Sequence, residues 1–271
     1  MTLIAVLILY FLSTLCYVLY FAIQKEHFQK TGFILILIGF VIHGGQTLMA
    51  FVQTGEMPAQ NLHQTLSIAA LSLSGVFLIL RSRLNLKILG TFAAPLVTII
   101  MIAAVKFPDV AVASGNIFKS IWLTGHIITI FIGEAAFSLA FGAGVLYLIQ
   151  EHAIKTKKHG YFFKRLPSLE LIDQTGYLCI IVGFTAITIG LATGMVYAKM
   201  IWGRFWSWDP KEVWSGISWL LYAVLLHERL TVGWRGRRSA IMAIIGFIVL
   251  LFTFFGVNML LEGHHGKFTT W

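Results

Sequence analysis

Long apolar runs separated by short polar links dominate the chain. A bilayer core about 30 Å thick is crossed by roughly 20 apolar residues in a helix. By that measure the sequence predicts eight membrane spans, at about residues 2–23, 32–53, 65–81, 87–105, 119–149, 178–198, 213–230 and 239–261. The runs are continuous and show no alternation, so helices are expected rather than strands. The predicted fold class is therefore an all-α integral membrane protein.

The composition supports the same class. Of 271 residues, 58% are hydrophobic and only 11% are charged, whereas soluble domains carry about 25% charged residues. The formal net charge of +9 is typical of basic cytoplasmic links in membrane proteins, and no nucleic-acid partner is expected. Cys16 and Cys179 lie in apolar runs without metal-ligand spacing, which indicates small buried residues.

The distribution of lysine and arginine predicts the orientation. Fourteen of the twenty basic residues fall in the links between spans 1–2, 3–4, 5–6 and 7–8, and the positive-inside rule places these links in the cytoplasm. Both termini and the link between spans 6 and 7 are then outside. The first run lacks a basic leader and a cleavage site, so we interpret it as a span. The polar stretch 150–177 is expected to be a cytoplasmic loop near anionic lipid headgroups.

The link between spans 6 and 7 is unusually aromatic. We call residues 202–212 the tryptophan-rich segment, because three of the chain's eight tryptophans lie within it, together with Phe205. Its charges exclude burial in hydrocarbon, and we expect a flat aromatic surface at the membrane interface. Asp209 and Pro210 predict a helix start, with Asp209 as the N-cap and Glu212 near the third position. The tryptophans are Trp202, Trp206 and Trp208.

Histidines within predicted spans are candidate functional groups, because polar residues are costly there. His126 lies near the outer end of span 5, His265 just beyond the outer end of span 8, His227 near the inner end of span 7, and His43 within span 2. Two imidazoles level with an aromatic segment are able to hold a haem iron. The alternative is a hydrogen bond across helices.

One carboxylate lies deep within a span. Glu134 is two turns inward of His126, and the sequence leaves three roles open for it: an ion pair, a proton relay, or a carboxyl group that stays protonated.

The tryptophan-rich segment carries a family resemblance. Trp-Gly-Arg-Phe-Trp-Ser-Trp-Asp-Pro-Lys-Glu-Val-Trp at 202–214 closely resembles the WWD signature of the haem-handling proteins of cytochrome c assembly. The resemblance covers roughly residues 120–271, while Pro58, Asn61 and Leu66 resemble the family's second outer loop. Length and span number are most similar to the CcsA branch of system II. The chain is thus interpreted as one membrane domain, with a less diagnostic part at 1–118 and a haem-handling core at 119–271.

The resemblance implies a set of site residues. His126 and His265 correspond to the family's outer axial ligands of haem b, with His264 as an additional neighbour, and the three tryptophans would stack on the macrocycle. His227 corresponds to an inner haem ligand whose partner is expected from a CcsB/ResB-type membrane protein. Arg204 and Asp209 are further candidates for haem contact, and His43 is a weaker one.

The function that the resemblance implies is haem presentation. Haem would be held at the outer face of a bacterial cytoplasmic membrane and attached to Cys-x-x-Cys-His of an apocytochrome c, with a thiol-reducing protein as a further partner. The chain would then be the core subunit of a cytochrome c haem lyase, with a share in haem export. The alternative is a HemX-like regulatory protein without ligation activity. A general transporter would not explain the aromatic segment.

Overall fold

The computed structural model describes residues 2–83, 87–109, 119–157, 160 and 164–257. This part of the chain contains eight α-helices and no strand, so the predicted all-α class is confirmed. They are α1 (Thr2–Ile23), α2 (Glu26–Thr54), α3 (Leu62–Arg83), α4 (Gly90–Lys106), α5 (Ile121–Lys155), α6 (Leu169–Trp202), α7 (Pro210–Thr231) and α8 (Arg237–Leu251). A 3₁₀ turn (Lys87–Leu89) precedes α4, and a π-helical turn (Phe252–Gly256) continues α8.

Seven of these helices are long and apolar enough to cross a membrane. The eighth, α7, has 22 residues, which gives a length of about 33 Å at 1.5 Å per residue. Its composition is less apolar, because it carries Lys211 and Glu212 at one end and Glu228 and Arg229 at the other. The chain is thus a multi-pass membrane protein.

Two of the helices are longer than the apolar runs within them. α5 extends to Lys155 and α6 begins at Leu169, so the cytoplasmic loop expected at 150–177 is much shorter than predicted. The reason is local: the Ser168 side chain caps α6 by accepting a hydrogen bond from the Leu171 N–H, and polar residues then continue the helix. An apolar run measures the membrane-spanning part of a helix and not its polar end.

Helix α5 lies at the centre of the molecule and contacts α3, α4, α6 and α8. Its most extensive contact is with α6, where glycines let the two backbones approach closely. A Cβ atom at Gly183 would lie 2.6 Å from the Phe137 ring, and one at Gly133 would lie 2.4 Å from Ile187. Helix α7 contacts mainly α6, α8 and the π-helical turn, so it lies at the edge of the bundle.

The four basic links lie together at one end of the bundle, which we call the basic end. Lys87 pairs with Glu26, and Arg237 pairs with Glu151 at 2.9 Å. The Arg165 guanidinium donates to the carbonyl oxygen of Ala22 at the end of α1. These contacts join the links 1–2, 3–4, 5–6 and 7–8, and the tryptophan-rich segment lies at the opposite end. The assignment of the basic end to the cytoplasm stays a prediction from the positive-inside rule.

Candidate functional site

A cavity of about 250 Å³ lies at the end of the bundle that carries the tryptophan-rich segment. Its walls come from the starts of α3, α5 and α7, the end of α6 and the π-helical turn. Most of the lining is apolar or aromatic, and few polar groups interrupt it. Such a composition is typical of sites for small organic ligands and cofactors. Its aromatic and ionisable lining residues are His126, Phe131, Glu134, Tyr197, Trp202, Phe205, Trp206, Lys211, Glu212 and Phe254.

His126 is held in a defined orientation at this cavity. Its Nδ1 lies 2.7 Å from the carbonyl oxygen of Gly190 on α6, and a carbonyl oxygen only accepts hydrogen bonds. Nδ1 therefore carries the proton, which leaves the lone pair on Nε2 free for a metal or a donor. A Cβ atom at Gly194 would lie 2.6 Å from Nδ1 of His126, so the ring fits only beside a glycine.

The three tryptophans do not form the expected flat surface. Trp202 and Trp206 line the cavity, and Trp202 meets Tyr197 edge to face. Trp208 is 78% exposed and has a positive φ of 58°. Its ring is nearly perpendicular to that of Trp206, with an interplanar angle of 86°. The segment therefore presents two tryptophans to the cavity and a third to the exterior.

Helix α7 holds the segment in place through its first turn. Asp209 is the N-cap, with Pro210 in the first turn of the helix, so the predicted helix start is confirmed. Asp209 and Glu212 in addition form a capping box. The Glu212 carboxylate also accepts hydrogen bonds from the Ser207 N–H at 2.7 Å and from the Ser207 hydroxyl at 2.9 Å. Asp209 is buried, and its side chain accepts from the backbone N–H of Lys211 at 3.0 Å. Asp209 thus stabilises the helix start.

Two further charged groups face the cavity, Glu134 on α5 and Lys211 on α7. They interact electrostatically, but they form no salt bridge in the part of the chain that the structure describes. Eight residues separate Glu134 from His126, which corresponds to about 12 Å along α5. The sequence singled out Glu134 but did not place it in the same cavity as Lys211.

The other predicted site residues lie elsewhere. His43 is buried between helices, where Nε2 lies 2.8 Å from the Ser67 hydroxyl and Nδ1 lies 3.3 Å from the Tyr10 hydroxyl. Both ring nitrogens are therefore used in contacts between α1, α2 and α3. His227 is exposed near the basic end of α7, about 24 Å along that helix from Lys211.

Three further predicted residues are not found in the cavity lining, one because it is exposed and two because the structure does not describe them. Arg204 is exposed on the segment and is not among the cavity-lining residues. His264 and His265 lie outside the residues that the structure describes.

The N-terminal part of the chain contributes one wall of the cavity. Ala59, Leu62 and Thr65, at and before the start of α3, line it. The sequence treated residues 1–118 as less diagnostic, although the resemblance at Pro58, Asn61 and Leu66 marked this same stretch. His63 lies nearby but bonds to the carbonyl oxygen of Ala104 at 2.8 Å, so it ties α3 to the end of α4.

Comparison with models of protein families shows to which family the chain belongs. The model of the cytochrome c assembly protein family matches residues 59–265, which include every helix from α3 onward. The chain belongs to the cytochrome c assembly protein family. It is a CcsA-type member, as the WWD resemblance predicted. The family match covers the wall that α3 contributes and all but the last six residues of the part at 119–271.

Curated relatives agree with this assignment. Cytochrome c biogenesis protein CcsA of Prochlorococcus marinus (strain MIT 9215) is 32% identical over 265 residues, covering 89% of this chain and 85% of that protein. CcsA of Chlamydomonas reinhardtii is 35% identical over 228 residues, covering 80% of this chain and 63% of its own length. CcsA of Synechococcus sp. (strain CC9902) is 30% identical over 259 residues, covering 86% of this chain and 84% of that protein.

A solved structure shares the fold. The cytochrome c haem lyase CcmF superimposes with a TM-score of 0.64, covering 97% of this chain and 46% of CcmF. At 18% sequence identity the likeness concerns the fold alone. Nearly the whole length of this chain therefore corresponds to about half the length of CcmF.

Proposed function

We propose that this chain binds haem b at the cavity beside the tryptophan-rich segment and presents it for covalent attachment to an apocytochrome c. Its role in cytochrome c biogenesis is supported by the family match and by the CcsA relatives. The haem proposal rests on the hydrogen bonding and tautomer of His126. A hydrogen bond fixes one nitrogen of its imidazole, and the other is free at an aromatic cavity.

The residues of the cavity fit a haem. A neutral imidazole whose Nδ1 donates a hydrogen bond to a backbone carbonyl is a common iron ligand. Trp202, Trp206 and Phe131 offer apolar and aromatic surface to a planar macrocycle. His265, which the resemblance implies as the second axial ligand, lies outside the described residues. The described residues of the cavity therefore offer one iron ligand, His126, together with aromatic walls and the ammonium group of Lys211.

The protein's contribution is positioning. The Gly190 carbonyl fixes the tautomer and angle of His126, and Gly194 leaves the space that the ring requires. Glu212 restrains the segment that carries the tryptophans. Fixed groups of this kind lower a barrier by orienting two reactants before they meet. When bound, haem supplies two vinyl groups, and each cysteine S–H of Cys-x-x-Cys-His adds across one of them to give a thioether.

The proposal extends to location and partners. We place the protein in a bacterial cytoplasmic membrane with the cavity facing outward, as a system II component. His227 is exposed on α7, at the edge of the bundle, which leaves it accessible to a ligand from a ResB-type partner. Haem from the cytoplasm would then enter near the basic end and leave at the cavity.

The experiment combines a spectrum with an activity. The full chain is purified with and without a co-expressed ResB-type partner, and its haem absorption is recorded for the unchanged protein, His126→Ala and His63→Ala. The proposal predicts loss of most of the haem signal in His126→Ala only, because His63 lies at the same end but bonds to Ala104 instead. Full haem signal after replacing both His126 and His265 would contradict it.

The same variants are then expressed in a strain that lacks its own cytochrome c assembly system. Restored holocytochrome c by the unchanged protein with its partner, and not by His126→Ala, supports haem attachment. Haem binding without any restored holocytochrome c would favour the HemX-like regulatory alternative.

A further inference from the structure

The cavity contains a lysine whose position is unusual. Lys211 lies in the first turn of α7, where the helix dipole disfavours a positive charge. Long basic side chains near a membrane interface usually extend their charge toward water. Lys211 instead lines the cavity, where the carboxylates of Glu134 and Asp209 attract its charge. The ammonium group therefore lies inside the cavity and not on the outer face of the segment.

This ammonium group has no partner of its own in the described part of the chain. Its side chain forms no hydrogen bond and no salt bridge there, and the bond between Lys211 and the Asp209 side chain is donated by the Lys211 backbone N–H. The neighbouring acids are already used. Asp209 accepts from the Lys211 backbone, and Glu212 accepts from Ser207 and Asp209. An ammonium group in an apolar cavity is costly without a compensating anion.

Glu134 is the remaining acid in the lining, and it also makes no side-chain hydrogen bond to a described residue. Its carboxylate acts on Lys211 through space but not in contact. Both side chains line the same cavity of about 250 Å³, which offers room for a third group beside them. A ligand carboxylate fits beside Lys211, because it would supply the contact and the charge that Glu134 supplies only at a distance.

We propose that Lys211 is the anchor for a carboxylate of the ligand, and that Glu134 is its counter-charge while the cavity is empty. The inference rests on the proposed function, since haem b combines a planar apolar body with two propionate groups. It adds an orientation: a propionate edge is held at the start of α7, on the same side of the cavity as the capping box. The edge that carries the vinyl groups is then free for the incoming thiols.

The test compares two ligands that differ only in this group. Haem-free protein from a haem-deficient host is titrated in detergent with haem b and with its dimethyl ester, which lacks free carboxylates. The variants are Lys211→Met, Lys211→Arg and Glu134→Gln, and binding is followed by absorbance and tryptophan quenching. Each variant is compared with the unchanged protein for the same ligand, so that partition of the ligand into micelles cancels.

Lys211→Met should weaken haem b binding roughly 10- to 100-fold, the range expected for one charged hydrogen bond, and leave ester binding unchanged. Lys211→Arg should recover most of the loss, because it keeps the charge. Glu134→Gln should tighten haem b binding and leave the ester unaffected, because it removes the competing carboxylate. Unchanged ester binding also shows that each variant is folded.

Four results would overturn the inference, one of them together with the proposed function. An equal loss for both ligands in Lys211→Met would show that the lysine supports the cavity and does not recognise a carboxylate. Selective weakening of haem b in Glu134→Gln would exclude the role of counter-charge. If neither porphyrin bound in a manner that depends on His126, the proposed function would fail together with this inference. Binding that depends on His126 but not on Lys211 would remove this inference alone.

Discussion

At the scale of single residues, the contact between His126 and α6 depends on the absence of a side chain at position 194. Gly194 has no side chain, and the imidazole occupies the space where a Cβ atom would lie 2.6 Å from Nδ1. Gly190, one turn earlier, supplies the carbonyl that orients the ring. Two glycines four residues apart thus serve both the close helix contact and the position of the candidate iron ligand.

Gly194→Ala is therefore expected to displace the His126 ring and to break its bond to Gly190. Overpacking of this kind costs about 1–3 kcal/mol, so the protein should fold with a modest loss of stability while its haem absorption falls or shifts. The measurement is a haem spectrum together with a thermal melt in detergent. Gly125→Ala is the matched control, because a Cβ atom there lies 3.9 Å from its nearest neighbour. An unchanged spectrum in Gly194→Ala would contradict the assigned geometry.

Single residues also mark the limit of inference from the sequence. The sequence selected His126 and the tryptophans, because each is unusual at its own position. It could not determine the state of His43, which depends on hydroxyl groups of Tyr10 and Ser67 on two other helices. Nor could it predict that Trp208 faces outward, since that follows from one positive φ.

At the scale of helices, a buried ion pair joins three elements near the basic end. The Arg229 guanidinium of α7 donates to both carboxylate oxygens of Asp173 on α6, at 3.0 and 2.6 Å. Each side chain is 7% exposed. Asp173 also accepts from the Gly236 N–H at the start of α8, and Arg229 lies 4.2 Å over the Tyr177 ring. The cluster is therefore expected to hold the basic end of α7 to α6 and α8.

Replacing Asp173 with asparagine removes the charge but keeps the shape of the side chain. It leaves Arg229 buried without a counter-charge, and breaking such a pair typically costs about 3–5 kcal/mol. We expect a clear fall in the melting temperature of the purified protein. Glu26→Gln is the control, because the pair of Glu26 with Lys87 is exposed and contributes little. Equal effects of the two substitutions would show that the Asp173 pair does not stabilise α7.

The helices themselves were largely predictable, because a run of apolar residues is a local signal. All eight predicted spans correspond to helices. Their polar ends were not predictable from apolar length, and α6 begins nine residues before its predicted span because Ser168 provides a cap. The cavity could not be predicted for a different reason. Its walls come from α3, α5, α6, α7 and the π-helical turn, and no single apolar run indicates which helices pack against each other.

At the scale of the whole molecule, the proposed function requires the two ends of the bundle to face different compartments. The contacts of Glu26, Glu151 and Arg165 gather the basic links at one end, and the positive-inside rule places that end in the cytoplasm. On that prediction the cavity faces outward, the side on which the proposed function requires an apocytochrome c. This orientation follows from the distribution of charge, and it is testable without any ligand.

The test places single cysteines in a variant whose own Cys16 and Cys179 are replaced by serine. Arg204→Cys lies on the exposed surface of the tryptophan-rich segment, and Lys157→Cys lies just after α5 at the basic end. A membrane-impermeant maleimide should label Arg204→Cys in intact cells and Lys157→Cys only after the membrane is permeabilised. Glu56→Cys, in the link between α2 and α3, should behave like Arg204→Cys because that link lies at the end opposite the basic links. The reverse pattern would place the cavity in the cytoplasm, where it could bind haem but could not deliver it to an exported apocytochrome c.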